Sequence, residues 1–369
     1  MTRPRARDIG LSIGRLEAGE FNAITDVPGV LVGHSTIKRG EGPLVCGEGP
    51  VRTGVTAIVP HSENVFRNKV KAATHVINGF GKSCGLAQVD ELGVIETPIL
   101  LTNTLSVGAV HDALVQYMLE QNPEIGVTTG TVNCVVGECN DGYLNDIRGG
   151  HVKREHVFMA LRDAKSGNVE EGAVGAGTGM SCLGHKGGIG TSSRVVTLKD
   201  RVYHLGVLVL ANFGDLESLT VAGVPVGREL AQKGRSSAPA GDGSIMMILA
   251  MDAPLESRQV GRVAKRAVIG LGRTGSHASH GSGDFVLAFT TANKEPHFCE
   301  EHSLRHEVLM RDDDKALNML FAAAAEATEE AILNALFKAE TTTGRDGHTR
   351  RALPLEEVSE ILRRYSRLR

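Results

Sequence analysis

The stretch GDGSIMMILAMDAPL, residues 241–255, places one serine between a glycine-rich turn and a long apolar run. The run that begins at Ser244 has the length and composition of a strand buried on both faces. Gly-Asp-Gly favours a turn, and serine often follows such a turn without any chemical role. The first residue of a buried strand is also a position where a nucleophile can be held in a fixed place. The local sequence leaves both interpretations open.

Other β-branched runs, each bounded by Gly, Pro, Asn or Asp, surround this stretch and predict further strands. They are residues 29–37, 54–60, 194–200, 203–214 and 284–293. Apolar residues at helical spacing predict helices between and after them. These helices cover residues 106–123, 154–167, 257–275, 314–340 and 355–368. The 45 glycines indicate tight turns and close backbone approaches, so the chain is predicted to be a sheet-rich α/β protein.

Composition narrows the classes of function. A chain of 369 residues with 41% hydrophobic residues can bury a sizeable core, and a net charge of -3 gives no electrostatic footprint for nucleic acid. No run of about 18 apolar residues occurs, so we expect no membrane-spanning helix. The N-terminal MTRPRARDIG is basic and no apolar region follows it, which favours a cytoplasmic protein without a secretory signal.

Cysteine and histidine spacing gives little support for a metal or redox site. No CxxC pair occurs, and we expect the cysteines to be reduced, small, buried side chains, with Cys182 the candidate exception. His277 and His280 lie three residues apart, but glycines around them favour a loop and no third ligand is evident. Residues 172–179, GAVGAGTG, lack the GK[ST] of a phosphate loop and are interpreted as close backbone packing beside a substrate cleft. No metal or organic cofactor is expected.

The polar segment 231–243, AQKGRSSAPAGDG, has no periodicity and predicts a flexible loop directly before Ser244. A serine hydroxyl is a weak nucleophile unless a base activates it, and GDGS is not the GxSxG elbow of the α/β-hydrolases. If the Gly243–Ser244 bond is cut, the new α-amine can serve as that base, because its reference pKa is about 7.7–8.0. The sequence alone offers this as a hypothesis beside the simple turn.

Eight motifs carry a family resemblance. They are ITDVPGVLVGHSTI (24–37), GVTAIVP (54–60), NGFGKSCGL (78–86), CNDGYLNDIRGG (139–150), GAVGAGTG (172–179), LANFG (210–214), GDGSIMMILAMDAPL (241–255) and GSGDFVLAFTTAN (281–293). In this order they resemble the self-processing serine aminopeptidases, the family that includes L-aminopeptidase D-amidase/D-esterases and β-peptidyl aminopeptidases.

The resemblance implies a single catalytic domain, residues 1–369, that cuts itself before its nucleophile. The products are an α-chain of residues 1–243 and a β-chain of residues 244–369 that stay together as one folded unit. The implied fold is a four-layer αββα sandwich, similar to that of the N-terminal nucleophile hydrolases but with different strand connectivity. Homo-oligomers of αβ units are also implied.

The resemblance also assigns roles at matching positions. Ser244 is the nucleophile, Asn212 and Tyr143 donate hydrogen bonds to the oxyanion, and Asp141 contacts the free amine of the substrate. Ser282 and Asp284 position the α-amine of Ser244. Relatives often carry Glu where this chain has Asp141, so the choice between α- and β-amino substrates stays open.

We therefore predict an aminopeptidase, amidase or esterase that removes the N-terminal residue of small peptides, amides or esters with a free amine. A β-peptidyl aminopeptidase is the first alternative. An acyltransferase on a related fold is another, although the ornithine acetyltransferases use a threonine nucleophile. The last is an uncleaved, catalytically silent relative that binds peptides or scaffolds an oligomer.

Overall fold

The structure, a computed structural model, describes residues 3–199, 201–234, 243–299, 306–312 and 314–368. Its strands are β1 (Leu31–Arg39), β2 (Val51–Val59), β3 (Asn68–Gly79), β4 (Val94–Ile95), β5 (Ile99–Asn103), β6 (Val135–Cys139), β7 (Ser181–Cys182), β8 (His185–Lys186), β9 (Gly188–Leu198), β10 (Arg201–Asn212), β11 (Ser244–Met251), β12 (Gly283–Pro296), β13 (Thr342–Thr343) and β14 (Thr349–Arg350). Its α-helices are α1 (Leu86–Leu92), α2 (Val107–Gln121), α3 (Arg154–Arg162), α4 (Val226–Gln232), α5 (Ser257–Ala264), α6 (Ala267–Arg273), α7 (Asp314–Lys338) and α8 (Leu355–Arg364).

Two sheets form the centre of the molecule. A four-stranded sheet has the order β1-β2-β5-β6, and a six-stranded sheet has the order β4-β3-β12-β11-β10-β9. Neighbouring strands are antiparallel except for the parallel pairs β5–β6 and β11–β12. The larger sheet therefore places β11 and β12 between β3 and β10, which both precede them in the chain.

Three apolar layers hold these elements together. One joins α2 and α3 to the four-stranded sheet, with Leu114 and Val157 packed near Val55 and Leu100. A second lies between the two sheets, and a third joins the six-stranded sheet to the helices α4 to α8. The predicted four-layer αββα sandwich is thus confirmed.

The strand that follows Ser244 is buried on both faces, as its sequence predicts. Ile245 and Met247 face the helices, whereas Met246 and Ile248 face the other sheet. Side chains alternate along a strand, so a run without polar residues is needed when both faces are covered. This burial fixes β11 rigidly and with it the position of Ser244.

Several sequence-based expectations need correction. The helix predicted over residues 257–275 is divided into α5 and α6, and in the turn between them the Arg266 guanidinium lies 3.8 Å from the Phe321 ring centre. The loop predicted over 231–243 begins inside α4, and residues 235–242 of it lie outside the described residues. Cys46 and Cys299 are exposed rather than buried, since both lie in irregular segments away from the core.

Candidate active site

Ser244 is the first residue of β11 and is central in the six-stranded sheet. Its register partners are Asn212, the last residue of β10, and Gly283, the first residue of β12. The serine is only 6% exposed in the uncut chain. Three strand termini therefore meet at this point, and each brings one of the motifs singled out from the sequence.

A single backbone N–H contacts two oxygens of the candidate cleavage site, the carbonyl oxygen before the bond to be cut and the serine hydroxyl after it. The Gly283 N–H donates to the Gly243 carbonyl oxygen at 3.2 Å and to Ser244 Oγ at 3.3 Å. A hydrogen bond to a carbonyl oxygen polarises the carbonyl and stabilises the negative charge that forms when a nucleophile attacks it. The hydroxyl and the peptide bond before it thus share an environment suited to acyl chemistry.

Close packing of the neighbouring backbone requires a glycine at position 243. A Cβ at this position would lie 2.7 Å from the Asn212 carbonyl oxygen and would collide with Phe213 Cα as well. Its φ lies outside the left-handed region that favours glycine. The residue before the candidate cut is therefore glycine because the neighbouring backbone approaches so closely.

Ser282 and Asp284 are brought together beside Ser244. The Ser282 hydroxyl donates to Asp284 Oδ1 at 2.7 Å, and within the described residues the buried Asp284 Oδ2 accepts no hydrogen bond. Burial raises the pKa of this carboxyl, and the hydrogen bond from Ser282 opposes the rise. A buried carboxylate with one unfilled oxygen has the chemistry to accept a hydrogen bond from a nearby amine.

The side chain of Asn212 is oriented by one backbone contact. The Ser181 N–H donates to Asn212 Oδ1 at 2.8 Å. This contact assigns the oxygen and leaves the amide NH2 as the donor group. Directly opposed residues on neighbouring strands place their side chains on the same face, so Asn212 and Ser244 are close neighbours.

Asp141 lies in the turn after β6, and this turn is largely buried rather than solvated. The side chain has no exposed surface; its Oδ1 accepts from Asn145 at 2.9 Å, and Oδ2 lies buried without a hydrogen-bond partner among the described residues. Burial raises the pKa of Asp141 to about 7, and hydrogen bonding to Thr53 and Asn145 opposes the rise more than the charge of Lys186 does. A Cβ at Gly179 would lie 2.8 Å from Asp141 Cβ, which supports the interpretation of the 172–179 stretch as close backbone packing.

Sequence reasoning missed Lys186, which is fully buried near this turn. Its Nζ donates to the carbonyl oxygens of Gly177 and Gly187 at 2.8 and 2.7 Å. Burial lowers the pKa of Lys186 to about 7, and the neighbouring Cys182 and Asp141 oppose this change. A lysine between a histidine and a glycine gives no periodic signal, so only the folded chain reveals this buried charge.

Tyr143 is linked to the other site residues by contacts with Arg350, a residue that the sequence analysis did not single out. Its ring stacks on His348 with 4.6 Å between ring centres, and the Arg350 guanidinium lies 4.0 Å from its centre. Arg350 Nε in turn donates to Ser181 Oγ at 2.9 Å. Among the described residues, no direct hydrogen bond joins Tyr143 to Ser244.

The remaining candidates, a cysteine and two histidines, show no sign of a reactive or metal-binding site. Cys182 is fully buried, and burial raises its pKa to about 12, so the thiol is protonated. His277 and His280 are exposed in an irregular segment. Across the ranges that the structure describes, no group of three His, Cys, Asp or Glu side chains is placed to hold a metal ion. Helices in those same ranges fall short of the length and apolar character that crossing a membrane requires.

Comparison with known proteins agrees with this geometry. The model of peptidase family S58 matches residues 22–350, which is most of the chain. The chain belongs to peptidase family S58. It is a hydrolase of the serine aminopeptidase class, of the N-terminal nucleophile type, and the family does not favour the acyltransferase alternative.

Relatives of this S58 peptidase match nearly end to end. The β-peptidyl aminopeptidase BapA of Sphingosinicella microcystinivorans is 45% identical over 379 residues, covering 99% of this chain and 93% of BapA. The PH0078 protein of Pyrococcus horikoshii OT3 is 54% identical with a TM-score of 0.94, over 99% of this chain and 100% of that one. The L-aminopeptidase D-Ala-esterase/amidase of Ochrobactrum anthropi, described as a variant of the Ntn hydrolase fold, is 39% identical with a TM-score of 0.92, over the whole of both chains.

Proposed function

We propose that this S58 peptidase cuts itself between Gly243 and Ser244 and then uses Ser244 as an N-terminal nucleophile. The observation that carries the proposal is the Gly283 N–H, which contacts both the carbonyl oxygen of the bond to be cut and the attacking hydroxyl. Residues 1–369 then act as one catalytic domain made of two chains, 1–243 and 244–369.

Self-cleavage follows from attack of Ser244 Oγ on the Gly243 carbonyl carbon. The Gly283 N–H stabilises the negative oxygen of the tetrahedral intermediate. Collapse breaks the C–N bond as the hydroxyl proton of Ser244 passes to the leaving nitrogen, which leaves an ester and a free α-amine. Water then hydrolyses the ester and leaves a carboxylate on Gly243. Asp284, with its unfilled Oδ2, accepts a hydrogen bond from the amine that this reaction creates.

The processed site repeats the chemistry on a substrate. The α-amine of Ser244 takes the hydroxyl proton as Oγ attacks the substrate carbonyl, and it returns that proton to the leaving amine. Asn212 and Tyr143 donate to the oxyanion, while Ser282 and Asp284 hold the α-amine. Water then hydrolyses the acyl-enzyme. Amides and esters are both substrates, because both react through a tetrahedral oxyanion.

Asp141 sets the substrate class in this proposal. An ionised carboxylate suits the ammonium group of a substrate by charge and by acceptor geometry. Small peptides, amides and esters with a free amine are thus the substrates. Named relatives include β-peptidyl aminopeptidases and an L-aminopeptidase D-Ala-esterase/amidase. A panel of L-Ala, D-Ala and β-amino acid amides separates these preferences.

Ser244→Ala tests the proposed function. We expect one intact band on a denaturing gel and no amide hydrolysis, whereas the parent gives two bands and Ser244→Cys, which keeps a nucleophile, is also cut. Cleavage of Ser244→Ala after Gly243 would show that this serine does not perform the processing. A parent that remains one band and is inactive would overturn the whole proposal.

Assembly and location stay predictions. The sequence resemblance implies that the αβ units form a homo-oligomer, and we propose that the protein acts in the cytoplasm. Light scattering on the processed protein measures the assembly, and fractionation of the source cells measures the location.

A further inference from the structure

A hairpin near the C-terminus fastens the turn that carries Tyr143. The hairpin, residues 342–350, consists of β13, β14 and the turn between them. The carbonyl oxygens of residues 142, 143 and 144 accept hydrogen bonds from Arg345 Nε (2.8 Å), His348 Nδ1 (3.0 Å) and the Arg345 N–H (3.0 Å). Three consecutive carbonyls are thus held by two hairpin residues, which leaves this turn little freedom.

Arg350, the last residue of the hairpin, contacts the surroundings of both candidate oxyanion donors. Its guanidinium carbon lies 4.0 Å from the centre of the Tyr143 ring. Its Nε donates to Ser181 Oγ at 2.9 Å, and the Ser181 N–H donates to Asn212 Oδ1 at 2.8 Å. The side chain is 5% exposed, so solvent screens its charge weakly.

We propose that Arg350 is a positioning residue for the acyl-transfer reaction: it fixes Tyr143 relative to Asn212. The inference rests on the proposed function, because it concerns the donors of that reaction. Arg350 belongs to residues 244–369, whereas Tyr143, Ser181 and Asn212 belong to residues 1–243. Both products of the cut are therefore needed to build the oxyanion-binding half of the site.

The proposal predicts a specific kinetic effect. Correct alignment of the oxyanion donors stabilises the transition state more than the bound substrate, so its loss lowers kcat and leaves KM nearly unchanged. We expect Arg350→Met to lower kcat by about 10- to 100-fold, less than the loss of a direct oxyanion donor. Arg351→Met, a change of the exposed neighbouring arginine, is the matched control and should stay within about twofold of the parent.

Two further measurements separate positioning from a general structural role. Arg350→Lys keeps a positive charge but not the planar guanidinium fork, so it should recover part of the lost kcat. In a double-mutant cycle, Arg350→Met should cost much less in a Tyr143→Phe background than in the parent, because the Tyr143 hydroxyl that Arg350 positions is already gone. The processed fraction and the melting temperature of each variant are recorded alongside.

Ser181→Ala provides a second test if Arg350→Met does not fold. It removes the hydroxyl that Arg350 contacts and keeps the backbone N–H that orients Asn212; we expect a kcat loss of about 2- to 10-fold at constant KM. Parental kcat in Arg350→Met, or in Ser181→Ala where the first variant is unfolded, would overturn the proposal. So would a loss that is additive with Tyr143→Phe. A parent enzyme without activity on any amide or ester overturns the proposed function instead, so the two failures are distinguishable.

Discussion

Asn212 shows how a single contact can decide the chemistry of a side chain. An asparagine carries an acceptor and a donor at one end, and only the donor can stabilise an oxyanion. The Ser181 N–H occupies the acceptor at 2.8 Å, so the NH2 group is the part that remains for the reaction. The residue after the cut and the residue that would stabilise its transition state are thus register partners in one sheet.

Asn212→Ala should lower kcat by about 10²–10³-fold with little change in KM, because the donor acts on charge that forms only in the transition state. Steady-state kinetics on one amide substrate measures both constants. Asn168→Ala is a matched control, since this exposed asparagine lies outside the motifs that supply the candidate site. Equal kcat values in the two variants would contradict the role given to Asn212.

The titration of Asp141 predicts a pH dependence of substrate binding. Its pKa is raised to about 7 by burial, so the carboxyl is neutral below that pH and ionised above it. Only the ionised form attracts a substrate ammonium, and KM should therefore rise as pH falls through about 7. Comparison below about pH 7.5 keeps the substrate amine charged, since its reference pKa is about 7.7–8.0.

Asp141→Asn is the variant that checks this assignment. It should raise KM at neutral pH and flatten its pH dependence, while kcat keeps the pH dependence set by the α-amine of Ser244. KM values measured across a pH series in the parent and in the variant give the comparison. An unchanged pH dependence of KM in the variant would assign the effect to another group.

Sequence reasoning located the polar site residues that lie in recognisable motifs. It missed those whose setting depends on the folded chain. Ser244, Ser282 and Asp284 lie beside glycines at strand ends, and the structure brings them together. Arg350 has no such local signal, because its partner Ser181 is far away in sequence. Lys186 bonds to nearby carbonyl oxygens, but its burial is a property of the folded chain. Such partners become visible only once the two sheets are stacked.

Among the secondary-structure elements, the longer apolar strands were predicted, whereas the mixed strand β3 and the short buried strands β5 and β6 were missed. β11 and the first eight residues of β12 are recognisable because both faces are buried and few polar residues interrupt them. β3 spans Asn68–Gly79 and mixes lysines, alanines and a histidine, since several of its side chains are partly exposed. Its strand conformation comes from pairing with β12, and single-sequence patterns do not contain that information.

An ion pair between β9 and α7 supports the helical layer behind β11. Arg194 on β9 has no exposed surface and donates to Glu330 on α7 at 2.8 Å and to the Ile13 carbonyl oxygen at 2.8 Å. A buried guanidinium is tolerated only when acceptors surround it. This pair therefore joins the N-terminal segment, the sheet and the longest helix at one point.

Glu330→Gln should lower the free energy of unfolding by about 3–5 kcal/mol, because it removes the buried carboxylate that pairs with both Arg194 and Arg7 and leaves Arg194 only the longer contact to Glu326. Urea denaturation in the Ser244→Ala background, where the chain stays whole, measures this change. The control is Glu360→Gln, a change at an exposed residue of α8, with an expected effect within about 0.5 kcal/mol. Similar values for the two variants would show that the Arg194 pair adds no net stability.

Considered as one object, the protein has a core that belongs to neither product of the proposed cut. The six-stranded sheet places β11 and β12, from residues 244–369, between β3 and β10, from residues 1–243. Apolar side chains from both parts fill the layer between the sheets. Neither part can complete the sheet alone, so folding must precede cleavage.

This order predicts a difference between the uncut and the cut protein. After denaturation, refolding of Ser244→Ala should be independent of protein concentration, whereas refolding of the processed enzyme should slow on dilution because two chains must meet. Recovered tryptic resistance over a dilution series measures both. Concentration-independent refolding of the processed enzyme would contradict a core shared between the two parts.

The insertion of β11 and β12 between β3 and β10 also bears on how long a processed molecule lasts. A cut molecule that opens fully releases two incomplete fragments with exposed apolar strand edges, which are prone to aggregate. Return to the active state is then a rare encounter, and loss of activity becomes irreversible. Working lifetime is consequently governed by the rate of unfolding, and selection for durability would act on the height of that barrier.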